Sequence, residues 1–122
     1  EGLSRGFQKE VMPLGLSVIM VEPGAFRTDF LGRSLQQSST AISDYDATAG
    51  LRRIEKDDTD GRQAGDPMKG AKLIIKAVTA KEKTLLLLLG NDAVQIVNEA
   101  LEVELAEINL WKDESITTDF SD

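Results

Sequence analysis

Few residues in this chain have the types and spacing to do chemistry, and those that are absent narrow the choices first. There is no histidine and no cysteine. That removes a histidine general base, thiol nucleophiles, thiolate zinc sites and disulfide frameworks together. Glu99, Glu102 and Glu107 could pair for acid–base work or hold a cation, but their spacing puts them on the wet side of an amphipathic helix. What remains is the stretch VIMVEPGAFRTDF, an apolar run stopped at Pro23-Gly24 and followed by Thr28. Proline sets the turn and removes one donor. Glycine lets a backbone come close to another group with no Cβ in the way. A threonine hydroxyl both donates and accepts, so it can orient a polar group brought to that turn. It can equally cap the N-terminus of a following helix, and both roles can hold together.

The chain has 122 residues, of which 41% are apolar, a content that supports a packed core. Its formal net charge of −7, with 14 basic residues, argues against a nucleic-acid partner. The absence of cysteine allows a reducing compartment, and a cytoplasmic protein is expected. The longest unbroken apolar run, residues 85–89, is far below the roughly 20 residues of a membrane span.

The elements that must carry the Pro-Gly turn follow from periodicity. Leu3, Phe7 and Val11 recur at steps of four, one face of a helix that Pro13 and Gly15 end. No cap opens that helix, so residue 1 reads as lying inside a longer one. Residues 17–22 are apolar and β-branched, as in a strand buried on both faces. Residues 25–65 are polar and rich in Gly, Ser, Asp and Thr, with a helix expected near 48–56. So long an excursion suits a functional loop or lid. Asp66-Pro67 is a helix start, and Ala71, Ile74, Ile75 and Val78 are the expected inner face of that helix. Its lysines, Lys69, Lys72 and Lys76, are expected in solvent. Residues 84–89 are too few for a helix and read as a second buried parallel strand. Asn91 or Asp92 is expected to cap the last helix, whose core face would be Val94, Val97, Leu101, Leu105 and Ile108. Trp111 reads as a packing anchor.

The order is helix end, strand, excursion, helix, strand, helix. Two buried strands joined through a helix give a parallel crossover and an α/β architecture. In such sheets ligands bind beyond the carboxyl ends of the strands, where the Pro-Gly turn sits.

Several stretches together resemble the C-terminal part of a short-chain dehydrogenase/reductase, nearest to the branch similar to 17β-hydroxysteroid dehydrogenases. They are EGLS in the first helix, VEPGAFRTDF after the first strand, GDP opening the next helix, LLLLGNDA before the last, and AEI, Trp111 and TDF near the end. The resemblance covers nearly the whole chain and implies the C-terminal portion of a Rossmann-like doubly wound parallel sheet. Residues 1–122 would supply two strands and about four helices, including a lid helix, to a single NAD(P)-binding domain. It implies that Pro23 and Gly24 line the nicotinamide pocket, that the backbone of Ala25 and Phe26 lies along the cofactor, and that Thr28 contacts the nicotinamide carboxamide or a phosphate oxygen. The cofactor would be NAD or NADP. Phe26, Phe30 and Leu31, with Tyr45 in the excursion, would face a small-molecule carbonyl or alcohol substrate, although simple loop packing explains the three apolar residues equally well.

The resemblance also implies that the Gly-rich turn, the catalytic serine, and the tyrosine and lysine four apart precede Glu1. Tyr45 has Ala49 four residues on, so it does not make that pair. No catalytic residue and no metal ligand is therefore expected in this chain. Its implied partners are the N-terminal half of the domain and, at full length, further copies of itself as a homo-oligomer. Two other readings stay open, a stand-alone interaction module using its acidic last helix and a truncated non-catalytic copy.

Overall fold

In a computed structural model of the chain, residues 1–32 and 34–120 are described, with Asp57 described by its backbone alone. Arg33, within the expected excursion, lies outside the described residues. The first helix, α1 (Gly2–Val11), runs into a 3₁₀ turn at Met12–Leu14 and stops at Gly15. Gly15 has φ 76°, a left-handed conformation that a side chain would strain.

Strand β1 (Met20–Pro23) follows, and later β2 (Leu86–Leu89). The two are parallel, with Met20 opposite Leu86 and Pro23 opposite Leu89. The ladder is shorter than the apolar runs that suggested it. β1 begins at Met20 rather than at residue 17, and β2 at Leu86 rather than at residue 84. Strand structure needs a partner backbone, and the Met20 N–H donating to the Leu85 carbonyl (2.7 Å) is the first cross-strand bond of the pair.

The excursion contains a 3₁₀ turn at Ser43–Tyr45, a π-helical turn at Asp46–Gly50, and α2 (Leu51–Thr59). Helical backbone thus begins earlier and ends later than the expected 48–56. α3 (Pro67–Thr79) starts as its sequence indicates: the Asp66 carboxylate accepts from the Met68 N–H (2.9 Å) and the Lys69 N–H (3.3 Å). α4 (Asn91–Ser115) has 25 residues and a last 3₁₀ turn at Ile116–Thr118. Its N-cap is Gly90 (φ 99°), not Asn91 or Asp92, and no side chain caps it.

Among the described residues the buried apolar ones are Met20 and Leu89 in the sheet, Ala93 in the first turn of α4, and Val11 at the end of α1. The expected helix faces are far less covered than their periodicity implied. On α3, Ile74 and Ala77 are half-buried, while Ala71, Ile75 and Val78 are exposed. On α4, Val97 is half-buried, but Val94, Leu101, Leu105 and Ile108 are exposed. Trp111 is 64% exposed and anchors no core here. For α4 from Leu101 onward the reason is geometric. A helix of 25 residues is about 37 Å long, and a four-residue strand about 13 Å, so the sheet can cover only the first turns of α4.

Candidate functional site

The Pro23-Gly24 turn leaves the carboxyl end of β1 beside Leu89, whose carbonyl accepts from the Gly24 N–H (2.8 Å). The next N–H, that of Ala25, donates to Oδ2 of Asp92 at 2.6 Å, across 67 residues of chain. Asp92 stands in the first turn of α4, so the start of the last helix is tied to the turn after β1. The Ala25 N–H holds the Asp92 carboxyl below its usual value of 3.8; burial opposes it, and the N–H groups of Ala93 and Asp92 add lesser support. Sequence reading gave Asp92 only as a cap for its own helix. Its partner is far off in the chain, a signal no local pattern contains.

Two glycines make room for this carboxylate. A Cβ built on Gly24 would collide with the Asp92 carboxylate, and one on Gly90 would stand 2.6 Å from Asp92 Oδ1. The glycine of the Pro-Gly turn therefore has a reason inside the fold, besides any approach of a ligand.

Residues 25–27 then pair with 63–65 and close the base of the excursion. Phe26 and Gly65 form a parallel bridge: the Gly65 N–H donates to the Ala25 carbonyl (3.0 Å), and the Arg27 N–H to the Gly65 carbonyl (2.9 Å). The Arg27 guanidinium adds a fork, with Nε (3.1 Å) and Nη2 (2.9 Å) both donating to the Gln63 carbonyl. The Phe26 ring lies against glycines. A Cβ at Gly65 or Gly70 would come within 2.7 or 2.8 Å of it, and one at Gly90 within 3.7 Å. That side chain is half-buried where α3 and the end of β2 meet.

A cleft of about 520 Å³ opens beside this turn. Its lining includes Pro23, Gly24, Ala25 and Phe26 from the turn. Thr28, Phe30 and Leu31 line it as well, joined by Gln63 from the far end of the excursion. Every expected site residue except Tyr45 is thus in one cleft. Tyr45 lies in another, of about 270 Å³, with Ile42, Asp46 and Arg53. The helical turns at 43–50 hold it there, away from the Pro-Gly turn. Thr28 Oγ1 accepts from the Phe30 N–H (3.3 Å), so it does cap the turn after it. Its own hydroxyl proton has no acceptor among the described residues and is free for a ligand.

Gln63 is the residue that sequence reading missed. It is only 6% exposed, and neither its side-chain Nε2 nor its Oε1 has a hydrogen-bond partner among the described residues. Nothing in GRQAGDP marks it, because its burial comes from closure of the excursion.

These groups fit a nicotinamide ring with its carboxamide. The lining is largely apolar, suited to a flat ring, and Thr28 and Gln63 carry unused polar atoms. Both backbone groups of Ala25 are taken up within the fold, leaving only its surface for contact. Among the described residues no three acidic side chains gather to hold a metal ion, and no helix is long and apolar enough to cross a membrane.

No family profile matches the chain. It is 33% identical over 117 residues to Oxidoreductase BOA17 of Botryotinia fuckeliana (strain B05.10), across 96% of this chain and 42% of that protein. The crystal structure of a short-chain dehydrogenase from Streptomyces avermitilis superposes with a TM-score of 0.79 at 36% identity, covering 98% of this chain and 42% of that one. The chain thus spans less than half the length of either.

Proposed function

Because the chain is similar in sequence and in fold to the C-terminal part of a short-chain dehydrogenase, we propose that it forms the floor of a nicotinamide pocket and the substrate lid of a short-chain NAD(P)-dependent oxidoreductase. The observation that carries this reading is the single cleft joining Pro23, Gly24, Thr28 and Gln63 at the carboxyl end of β1, where α/β sheets bind their ligands. The dinucleotide, when bound, gives or takes the hydride exchanged with a carbonyl or alcohol. In this chain Pro23, Gly24, Ala25 and Phe26 shape the floor under the ring, and Thr28 donates its free hydroxyl proton to the carboxamide oxygen. Phe30 and Leu31, which also line the cleft, keep water from the reacting face and present an apolar surface to substrate. Asp92 fixes the turn, so the floor is held in place before a ligand arrives.

The test uses the full-length gene product. It should bind NADH or NADPH and turn over at least one member of a panel of apolar ketones and alcohols. Thr28→Val keeps the shape and removes the hydroxyl. One lost hydrogen bond is worth on the order of 1 kcal/mol, so cofactor affinity should fall several-fold with the melting temperature of the cofactor-free protein unchanged. A variant that melts earlier yet binds cofactor as well as the parent would reduce Thr28 to a turn cap.

A further inference from the structure

We propose that Gln63 reads the carboxamide of the nicotinamide ring, as a two-point partner in the cleft it lines together with Thr28. The proposal rests on the nicotinamide reading above and adds a contact to it. Gln63 lines the 23–31 cleft, is 6% exposed, and leaves both amide heteroatoms without a partner. Buried polar atoms are almost always bonded, and leaving them unbonded destabilises a fold, so an orphaned amide beside a cleft points to a ligand. The backbone that carries it is held firmly. Arg27 grips the Gln63 carbonyl through two N–H groups, and the bridge at Gly65 is two residues away. With its main chain fixed, the side chain reaches the cleft by turning about its own bonds.

The amide also selects the ligand group. It offers donors on Nε2 and an acceptor on Oε1, side by side and uncharged. The group that satisfies both at once is another primary carboxamide, whose oxygen accepts from Nε2–H while its own N–H donates to Oε1. A carboxylate would leave Oε1 facing an acceptor, and an ammonium would leave Nε2 facing a donor.

Gln63→Met removes both amide atoms and keeps the length of the side chain. The full-length gene product and this variant would be titrated with NADH, NADPH and the reduced 3-acetylpyridine analogue, following ring fluorescence, and melted without ligand. We expect an unchanged or higher melting temperature, since an unsatisfied buried amide is gone, and about tenfold weaker binding of whichever natural cofactor the parent binds. The acetylpyridine analogue, whose methyl ketone lacks the N–H donor, should lose less. Equal loss for NADH and the analogue, or binding unchanged by the substitution, overturns the role of Gln63 and leaves the nicotinamide reading standing. If the parent binds neither NADH nor NADPH, that reading fails and the carboxamide contact falls with it.

Discussion

Gly24 has no left-handed backbone, so its φ does not demand glycine. What excludes a side chain there is the Asp92 carboxylate, which occupies the position of the Cβ. The two residues should therefore be strongly coupled. Gly24→Ala alone should cost about 1–3 kcal/mol of stability in the full-length gene product, as overpacking does. In an Asp92→Ala background most of that cost should vanish, because the colliding group is gone. Equal costs in both backgrounds would mean that the glycine is needed for something other than Asp92. The charge has its own signature. The folded-state pKa of Asp92 is depressed, so its ionised form adds stability above the unfolded value of 3.8, and that stability is lost as pH falls through the folded pKa. Asp92→Asn should thus be less stable than the parent near neutrality, by about 1 kcal/mol given the solvent exposure of the bond. The gap should close below pH 3.8, as measured by chemical denaturation across pH.

At the scale of elements, the excursion 25–65 is a loop with a locked base. The Phe26–Gly65 bridge and the Arg27 fork onto Gln63 join its ends, while α2 and the turns before it pack mainly on one another. A loop built this way can shift its tip and keep its base. Arg27→Lys keeps the charge but cannot place two N–H groups on one carbonyl from a planar fork. Limited proteolysis should then cut between residues 34 and 58 faster than in the parent, with the melting temperature lowered only slightly. Cleavage at the parental rate would show that the bridge alone closes the base.

Taken whole, the chain covers little of its own apolar surface. Leu3 is 89% exposed, Leu110 76% and Phe120 96%, and among the described residues the sheet has two strands, too thin for independent stability. β1 pairs with β2 on one side, and among the described residues no strand pairs with its other edge, which leaves its N–H and C=O groups open to a passing strand. The isolated 122-residue chain should therefore self-associate or remain partly molten, bind hydrophobic dyes, and show no dehydrogenase turnover. Adding a separately made N-terminal half should protect the amides of residues 20–23 from exchange. A monomer whose amides there are already strongly protected without a partner would favour the stand-alone module.

Local pattern sufficed for much of this molecule. Asp66-Pro67 announces α3 because a cap and a first-turn proline act on the nearest N–H groups, and Gly15 ends the first helical segment for an equally local reason. The α/β order and the Pro-Gly turn at a strand's carboxyl end follow from periodicity and turn chemistry within short windows. The Asp92–Ala25 bond, the glycine bed of Phe26 and the orphaned amide of Gln63 carry no such mark. The first two join residues far apart in the chain, and the third is buried only when the excursion closes. Burial of the helix faces was misread for the same reason. Periodicity tells which side of a helix is apolar, but covering that side takes a surface as long as the helix, and two four-residue strands do not provide it.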